Sequence, residues 1–247
     1  MSGNDARRAL VIGASGGIAR ALIQKFLNLN TSNQVLAVSR AMANPAVTAW
    51  QGRLQWQQSN YSEDSIAAII ARLAQNGNHF DNVFICNGIL HDADVFPEKR
   101  LEDFTPESMQ AVLHVNAIVP MLWLKHLKPV LPAKQPCVVT LFSARIGSIE
   151  DNRLGGWYSY RASKAALNML LKTAAIEYRR VAPAIKFLAF HPGTTDTKLS
   201  QPFQKGVPPQ QLFEPEFVAD RLFTIIDNLS AEPALDFLDW NGKAIAW

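Results

Sequence analysis

Cysteine is scarce: only Cys86 and Cys137 occur in 247 residues. Both lie in apolar, strand-like runs, which reads as two buried reduced thiols, excludes a disulfide framework, and points to a cytoplasmic home. No stretch reaches the roughly 18 uninterrupted apolar residues that a membrane helix needs. Met1-Ser2-Gly3-Asn4-Asp5 runs into a basic pair and a strand, not into the apolar core of a signal peptide. Charge of one sign is also lacking. There are 24 Lys and Arg against 21 Asp and Glu, a formal net charge of +3, with no block of like charges. Neither nucleic acid nor membrane is therefore expected as a main partner. His91, His114, His126 and His191 share no ligand spacing, so no metal is expected. Repeats, low-complexity segments and linkers are absent too, and residues 1–247 are expected to form one domain.

What is present is an alternation. Hydrophobic residues make up 48% of the chain, enough for an ordinary core. Residues 7–13, 34–39, 82–86, 137–142, 184–190 and 235–238 read as strands, with Leu54 and Trp56 in a further one. Between them run helical patterns: Ile18 to Leu29, a helix opened by Ser62 and closed before Gly77, 103–131 with Pro120 inside, 158–180, and 216–229. This rhythm predicts an α/β Rossmann fold, a doubly wound parallel sheet of seven strands with helices on both faces. The Pro/Gln-rich segment 198–215 is predicted to be a substrate loop within the domain, with Phe203, Leu212 and Phe213 as an apolar wall.

The turn after the first strand reads Gly13-Ala14-Ser15-Gly16-Gly17-Ile18-Ala19. A glycine turn that ends a strand and opens a helix aims backbone N–H groups and the positive helix end at a phosphate. Gly13 allows the tight turn and Gly17 lets the backbone approach; an ordinary tight β–α turn is the plain alternative. Ala19 replaces a third glycine that packs helix on strand, so a slightly wider gap is expected there. Strand two ends Val38-Ser39-Arg40. A carboxylate at this point would hold the ribose hydroxyls of NAD; a hydroxyl followed by a guanidinium suits the 2′-phosphate of NADP(H).

Further on, Tyr160-Arg161-Ala162-Ser163-Lys164 puts a phenol and an ammonium on one helix face. The ammonium is expected to favour the phenolate and make the pair an acid–base device. Tyr158 has Ala162 at the same spacing and is a decoy. Asn116 lies four residues before Pro120, which has no N–H to give it, so the Asn116 main-chain carbonyl is freed.

These residues, in this order and over 7–197, resemble the short-chain dehydrogenase/reductase family, classical type. Ser143 to Ile149, Gly155 to Tyr160 and the closing Asp239 to Trp247 resemble its branch of C-factor proteins and sniffer-type carbonyl reductases. The resemblance implies catalytic roles for Tyr160, Lys164, Ser143 and Asn116. Tyr160 would exchange a proton, Lys164 would tune it and bind ribose, Ser143 would orient the substrate oxygen, and Asn116 would hold a relay water. Ser143-Ala144 stands where the family often has Ser-Ser; Ser143 is preferred, with Ser148 kept as the alternative. For the cofactor it implies Gly13, Ser15, Gly16, Gly17, Ile18, Ser39, Arg40, Asn60 at the adenine, Asn87, Gly88, and Pro192, Gly193, Thr195 and Thr197 at the nicotinamide, besides Tyr160 and Lys164. NADP(H)-dependent reduction of a carbonyl, or oxidation of an alcohol, follows as the expected function, on a homodimer or homotetramer. A cofactor-binding sensor or signalling protein with little turnover is the competing expectation. His91 and Asp92 are read as loop polarity, and Trp123, Leu124, Met169 and Leu170 as either a dimer seam or core.

Overall fold

A computed structural model describes residues 6–42, 50, 52–132, 134–232 and 234–247. Seven parallel strands form one sheet in the order β3-β2-β1-β4-β5-β6-β9. They are β1 (Arg8–Ile12), β2 (Gln34–Ser39), β3 (Leu54–Gln58), β4 (Asn82–Ile85), β5 (Cys137–Phe142), β6 (Ile185–His191) and β9 (Leu235–Asp239). β1 is an interior strand, third in that order. Its Ala9, Leu10, Val11 and Ile12 are all fully buried, because helices cover both faces of the sheet.

On one face lie α1 (Gly17–Leu29) and α6 (Pro215–Asp227), joined through Leu22, Phe26, Val218 and Leu222. On the other lie α2 (Glu63–Gln75), α3 (Pro106–Leu113), α4 (Val119–Leu127) and α5 (Tyr158–Val181), sharing a core around Ile66, Trp123 and Leu171. Ser62 caps α2 by accepting from the Ser65 N–H, and Gly77 takes φ +65° just beyond the end, both as the sequence indicates. Helix α3 begins later than expected, at Pro106 behind a Thr105 cap. Between α3 and α4 the helix widens into a π turn, His114–Ile118, two residues before Pro120. A proline without its N–H accounts for a local departure from the i→i−4 pattern.

Segment 198–215 is more ordered than a plain loop. It contains two 3₁₀ turns, Gln201–Gly206 and Pro209–Gln211, and a short strand β8 (Leu212–Phe213) pairing with β7 (Thr194–Thr195). Pro215 already belongs to α6. Trp123 and Leu124 are core, whereas Met169 is 69% and Leu170 38% exposed. No helix among the described residues is long and apolar enough to cross a membrane.

The chain leaves β1 toward β2 on one side and returns at β4 on the other. Loops diverging from adjacent strand ends open a crevice there.

Candidate active site

A cleft of about 930 Å³ occupies this crevice, over the carboxyl ends of β1, β4, β5 and β6. One end is built by the glycine turn. Gly13 has φ +80°, and a Cβ on it would stand 3.0 Å from the Cys86 carbonyl carbon, so only glycine fits. Its N–H is held by Val38 O at 2.9 Å and by the Tyr61 hydroxyl at 3.2 Å. Ser15, Gly16, Gly17 and Ile18 line the cleft. Helix α1 starts here with neither a side-chain cap nor an acidic residue in its first turn. Its first N–H groups therefore have no intrahelical partner, and the residues that carry them line the cleft, where such groups suit an anion. Arg40 lines the same end, joined by Arg20. Arg20 lies three residues past Gly17 and would be legible as the first basic residue on the helix that the phosphate turn opens.

Asn87 and Gly88 form the floor. Asn87 is only 8% exposed, and its Oδ1 is buried without a hydrogen-bond partner among the described residues. A buried orphan acceptor in a cleft wall marks a place where a ligand hydroxyl or amine completes the bonding. Uncapped helix, glycine cradle, two guanidiniums and orphan acceptor together fit a dinucleotide.

The other end carries the acid–base groups. Tyr160 and Lys164 project from the first turns of α5 and line the cleft with Ser143, which follows β5. Lys164 is 3% exposed; its Nζ donates to Phe142 O at 2.8 Å and lies 5.7 Å from the Tyr160 ring centre. Burial raises the Tyr160 phenol to about 12 and lowers the Lys164 ammonium to about 8. The expected lowering of Tyr160 by its lysine is thus corrected: in the protein alone desolvation outweighs it. Gly147 fixes the lysine from behind, since a Cβ there would come within 2.7 Å of Lys164 Cβ.

Ser143 donates to Asn168 Oδ1 at 2.6 Å. Ser148, the alternative, is turned to Trp247 O and the Asp151 N–H, outside the cleft lining. Asn116 sits in the π turn behind the floor. Its Oδ1 accepts from Ile89 N at 2.7 Å and its Nδ2 donates to Ile89 O and to Ser163 Oγ. Its side chain therefore ties the loop after β4 to α5. Gly88 lies between Asn116 Oδ1 and Lys164 Nζ, each 3.7 Å from where its Cβ would be.

Pro192 and Thr197 line the cleft, while Gly193 and Thr195 lie behind them. Gly193 needs its φ of +75°, and a Cβ on it would strike the Phe213 ring at 2.6 Å. Thr195 is buried in the β7–β8 pair.

Several sequence expectations need correction. Ser39 is fully buried, and its Oγ accepts from Ala41 N at 3.0 Å, so it turns inward instead of facing a phosphate. Asn60 uses Oδ1 to accept from Ser62 N in a local turn at the start of α2 and does not line the cleft. Leu212 and Phe213 do not form the substrate wall: Phe213 packs on Phe217 and Trp240, with ring centres 4.9 and 4.5 Å away. Phe203 does reach the site's rim, its ring tilted against Trp157 at 5.0 Å, which in turn meets Tyr160 edge-on at 6.2 Å. Cys86, read as buried, is a partly buried part of the wall. His91 and Asp92, read as loop polarity, line the cleft. His191 does not; burial lowers it to about 4 and keeps it neutral. Among the described residues no group of three His, Cys, Asp or Glu could hold a metal ion.

The sequence reading missed Tyr61. It adopts φ +64°, donates to Val38 O at 3.3 Å and stacks edge-on with Trp123, supporting the glycine turn from beneath. Nothing in local sequence marks a tyrosine that works through backbone atoms far along the chain.

A family model for short chain dehydrogenases matches residues 7–207. A 1-hydroxy-2-glutathionyl-2-methyl-3-butene dehydrogenase of Rhodococcus sp. is 29% identical over 186 residues, covering 75% of this chain and 76% of its own. The C-signal protein of Myxococcus xanthus is 30% identical over 147 residues, covering 60% and 83%. The crystal structure of an NADPH-bound carbonyl reductase from chicken fatty liver superposes with a TM-score of 0.82 at 26% identity, over 98% of this chain and 99% of that one. With the seven-stranded sheet, the glycine turn and the Tyr160–Lys164 pair in one cleft, the match over most of its length means that this chain belongs to the short chain dehydrogenase family of oxidoreductases.

Proposed function

We propose that the protein is an NADPH-dependent carbonyl reductase. The observation that carries this reading is the cleft itself: Tyr160, Lys164 and Ser143 converge at one end, and the uncapped start of α1 with Arg20 and Arg40 forms the other. The carbonyl reductase that superposes on this chain was solved with NADPH, which supports the cofactor.

When bound, NADPH supplies the hydride that a carbonyl carbon accepts. The α1 N-terminus and glycine turn would hold its pyrophosphate, and Arg40 would hold the 2′-phosphate. Asn87 Oδ1 accepts a hydrogen bond from it. Pro192 and Thr197 fix the ring face. Ser143, its hydroxyl hydrogen turned from Asn168 Oδ1 to the substrate, donates to the carbonyl oxygen, and Tyr160 Oη gives that oxygen its proton, leaving an alcohol. Lys164 stabilises the phenolate that remains, and Asn116 holds the path by which Lys164 regains contact with solvent protons. Lys164 enters the cleft at about 8, so much of it is ammonium near neutral pH. Run backward, the same groups oxidise an alcohol. The free thiols Cys86 and Cys137 support a cytoplasmic home, and the exposed Met169 and Leu170 of α5 support a homodimer or homotetramer.

Fluorescence titration with NADPH and NADH tests the cofactor. Arg40→Ala is expected to weaken NADPH by about 10- to 100-fold, the scale of a lost bidentate charged pair, and to leave NADH within about threefold. Equal binding of both nucleotides to the unaltered protein would remove the NADP preference, and binding of neither would remove the reductase reading. Given a substrate from a panel of aldehydes, ketones and 1,2-diketones, Ser143→Ala should lower kcat/KM by about 100-fold, as loss of one preorganised donor does. Ser148→Ala should stay within about threefold; the reverse ranking would reassign the serine.

A further inference from the structure

One buried carboxylate near the cleft has no assigned task. Glu98 is 3% exposed, yet among the described residues no lysine, arginine or histidine pairs with it. Burying an unpaired charge is expensive unless dipoles and hydrogen bonds replace water. Here they do. Glu98 Oε2 accepts from Ser159 N at 3.1 Å, Oε1 accepts from the Ser159 hydroxyl, and the Glu98 carbonyl accepts from Trp157 N at 2.5 Å. All three donors lie at the start of α5, whose positive dipole end also faces the carboxylate. Helix α5 has no side-chain cap of its own, so Glu98 supplies one from another segment.

Two further observations show that this entry is held under constraint. Trp157, the residue before the helix, has φ +53°, a left-handed conformation that a bulky side chain adopts only when its surroundings impose it. Gly156, at φ +64°, would bring a Cβ to 3.4 Å from Lys99 O, so the two segments run close together where Trp157 N bonds Glu98 O. Glu98 also closes the segment whose Leu90, His91 and Asp92 form the cleft wall. Its Phe96 packs on Phe203 at 5.3 Å, and Phe203 on Trp157.

We infer that Glu98 is a positioning residue for the reaction: its carboxylate clamps the start of α5 to the loop after β4, so that Tyr160 and the opposite wall of the cleft keep one fixed separation. The inference rests on the reading of Tyr160 as proton donor. The glycine turn and Arg40, which hold the cofactor's phosphates, lie at the far end of the cleft, so most of the cofactor's affinity is set away from the clamp. An ångström of slack between acid and substrate lowers turnover by about 100-fold.

The test measures kcat, KM, NADPH affinity, and amide exchange over residues 155–162 in Glu98→Ala, Glu98→Gln, Ser159→Ala and the double alanine variant. Glu98→Ala is expected to lose about 100-fold in kcat/KM, mainly in kcat, with NADPH affinity within about twofold and faster exchange at the helix start. Glu98→Gln keeps an acceptor for Ser159 N and should retain at least about a third of the activity. Ser159→Ala removes one of the donors and should cost about tenfold. The double variant should be no worse than Glu98→Ala, because both break one contact. If Glu98→Ala does not fold, the order Glu98→Gln above Ser159→Ala carries the same test. Unchanged exchange and unchanged kcat in Glu98→Ala, NADPH affinity falling in parallel with kcat, or additive losses in the double variant would each overturn the clamp. An unaltered protein that binds NADPH but turns over no carbonyl would sink the proton-donor reading instead, while faster exchange in Glu98→Ala would still establish the clamp.

Discussion

Replacing Tyr160 by phenylalanine is expected to lower kcat by about 1,000-fold, within the range that a positioned general acid contributes. NADPH affinity should stay within about twofold. Phenylalanine keeps the ring, and with it the edge-on contact to Trp157 and the buried site in the wall. Only the hydroxyl is lost. Burial alone holds this phenol at about 12, so it stays protonated through the neutral range until a developing negative charge on the substrate oxygen draws the proton away. The same variant separates the two classes of function. A sensor that only binds the nucleotide would keep its cellular activity with Phe at 160. A reductase would lose it along with turnover, and single-turnover mixing of variant, NADPH and a carbonyl substrate would show no loss of nicotinamide absorbance. Full turnover in Tyr160→Phe would move the acid to another group in the cleft, with His91 in the wall one candidate.

The parts legible in the sequence are those in which residue type and backbone act within a few positions. Gly13 to Gly17 is a local solution to turning a strand into a helix under a phosphate, and Tyr160 with Lys164 is one turn of helix. The limits of β2 and β5 follow from their apolar runs and match residue for residue. Less legible were side chains whose partners lie far away. Ser39 looked like a phosphate ligand because it ends β2 beside Arg40, but alternation along a strand turns neighbours to opposite faces, and only Arg40 reaches the cleft. Asn60 was matched by position, yet an asparagine two residues before a helix cap finds a nearer donor in Ser62 N. Phe213 and Phe203 were indistinguishable as loop aromatics. A two-residue strand pairing with Thr194–Thr195 pulls the first under Gly193 and leaves the second against Trp157. Glu98, in the run Pro97-Glu98-Lys99, reads as surface charge; only tertiary contact with Ser159 reveals it as buried.

Lys164→Met should produce two effects of opposite sign: loss of turnover and gain of stability. Methionine matches the length of the lysine stem, which Gly147 encloses, so packing is retained while the ammonium goes. Turnover should fall by about 100-fold or more, because the phenolate left by proton transfer loses its counter-charge. Stability follows from linkage. The folded protein holds Lys164 at about 8, whereas an exposed lysine titrates at 10.5. Between these values the unfolded chain binds the extra proton, so stability rises with pH across that window; below about 8 the whole cost of the buried charge is present. That cost is on the order of 3 kcal/mol, and the lost bond to Phe142 O offsets about 1 kcal/mol of it. Lys164→Met should therefore be more stable by about 2 kcal/mol at pH 7, a rise in melting temperature of several degrees for a domain of this size. The gain should shrink as pH rises from 8 and disappear by about 10.5, where the lysine is neutral in both states. Calorimetry of both proteins at pH 7 and pH 10 reads this directly. A variant less stable than its parent at pH 7, or a gain that does not change with pH, would mean that the ammonium is solvated or paired in solution and that its burial is not what sets its proton affinity.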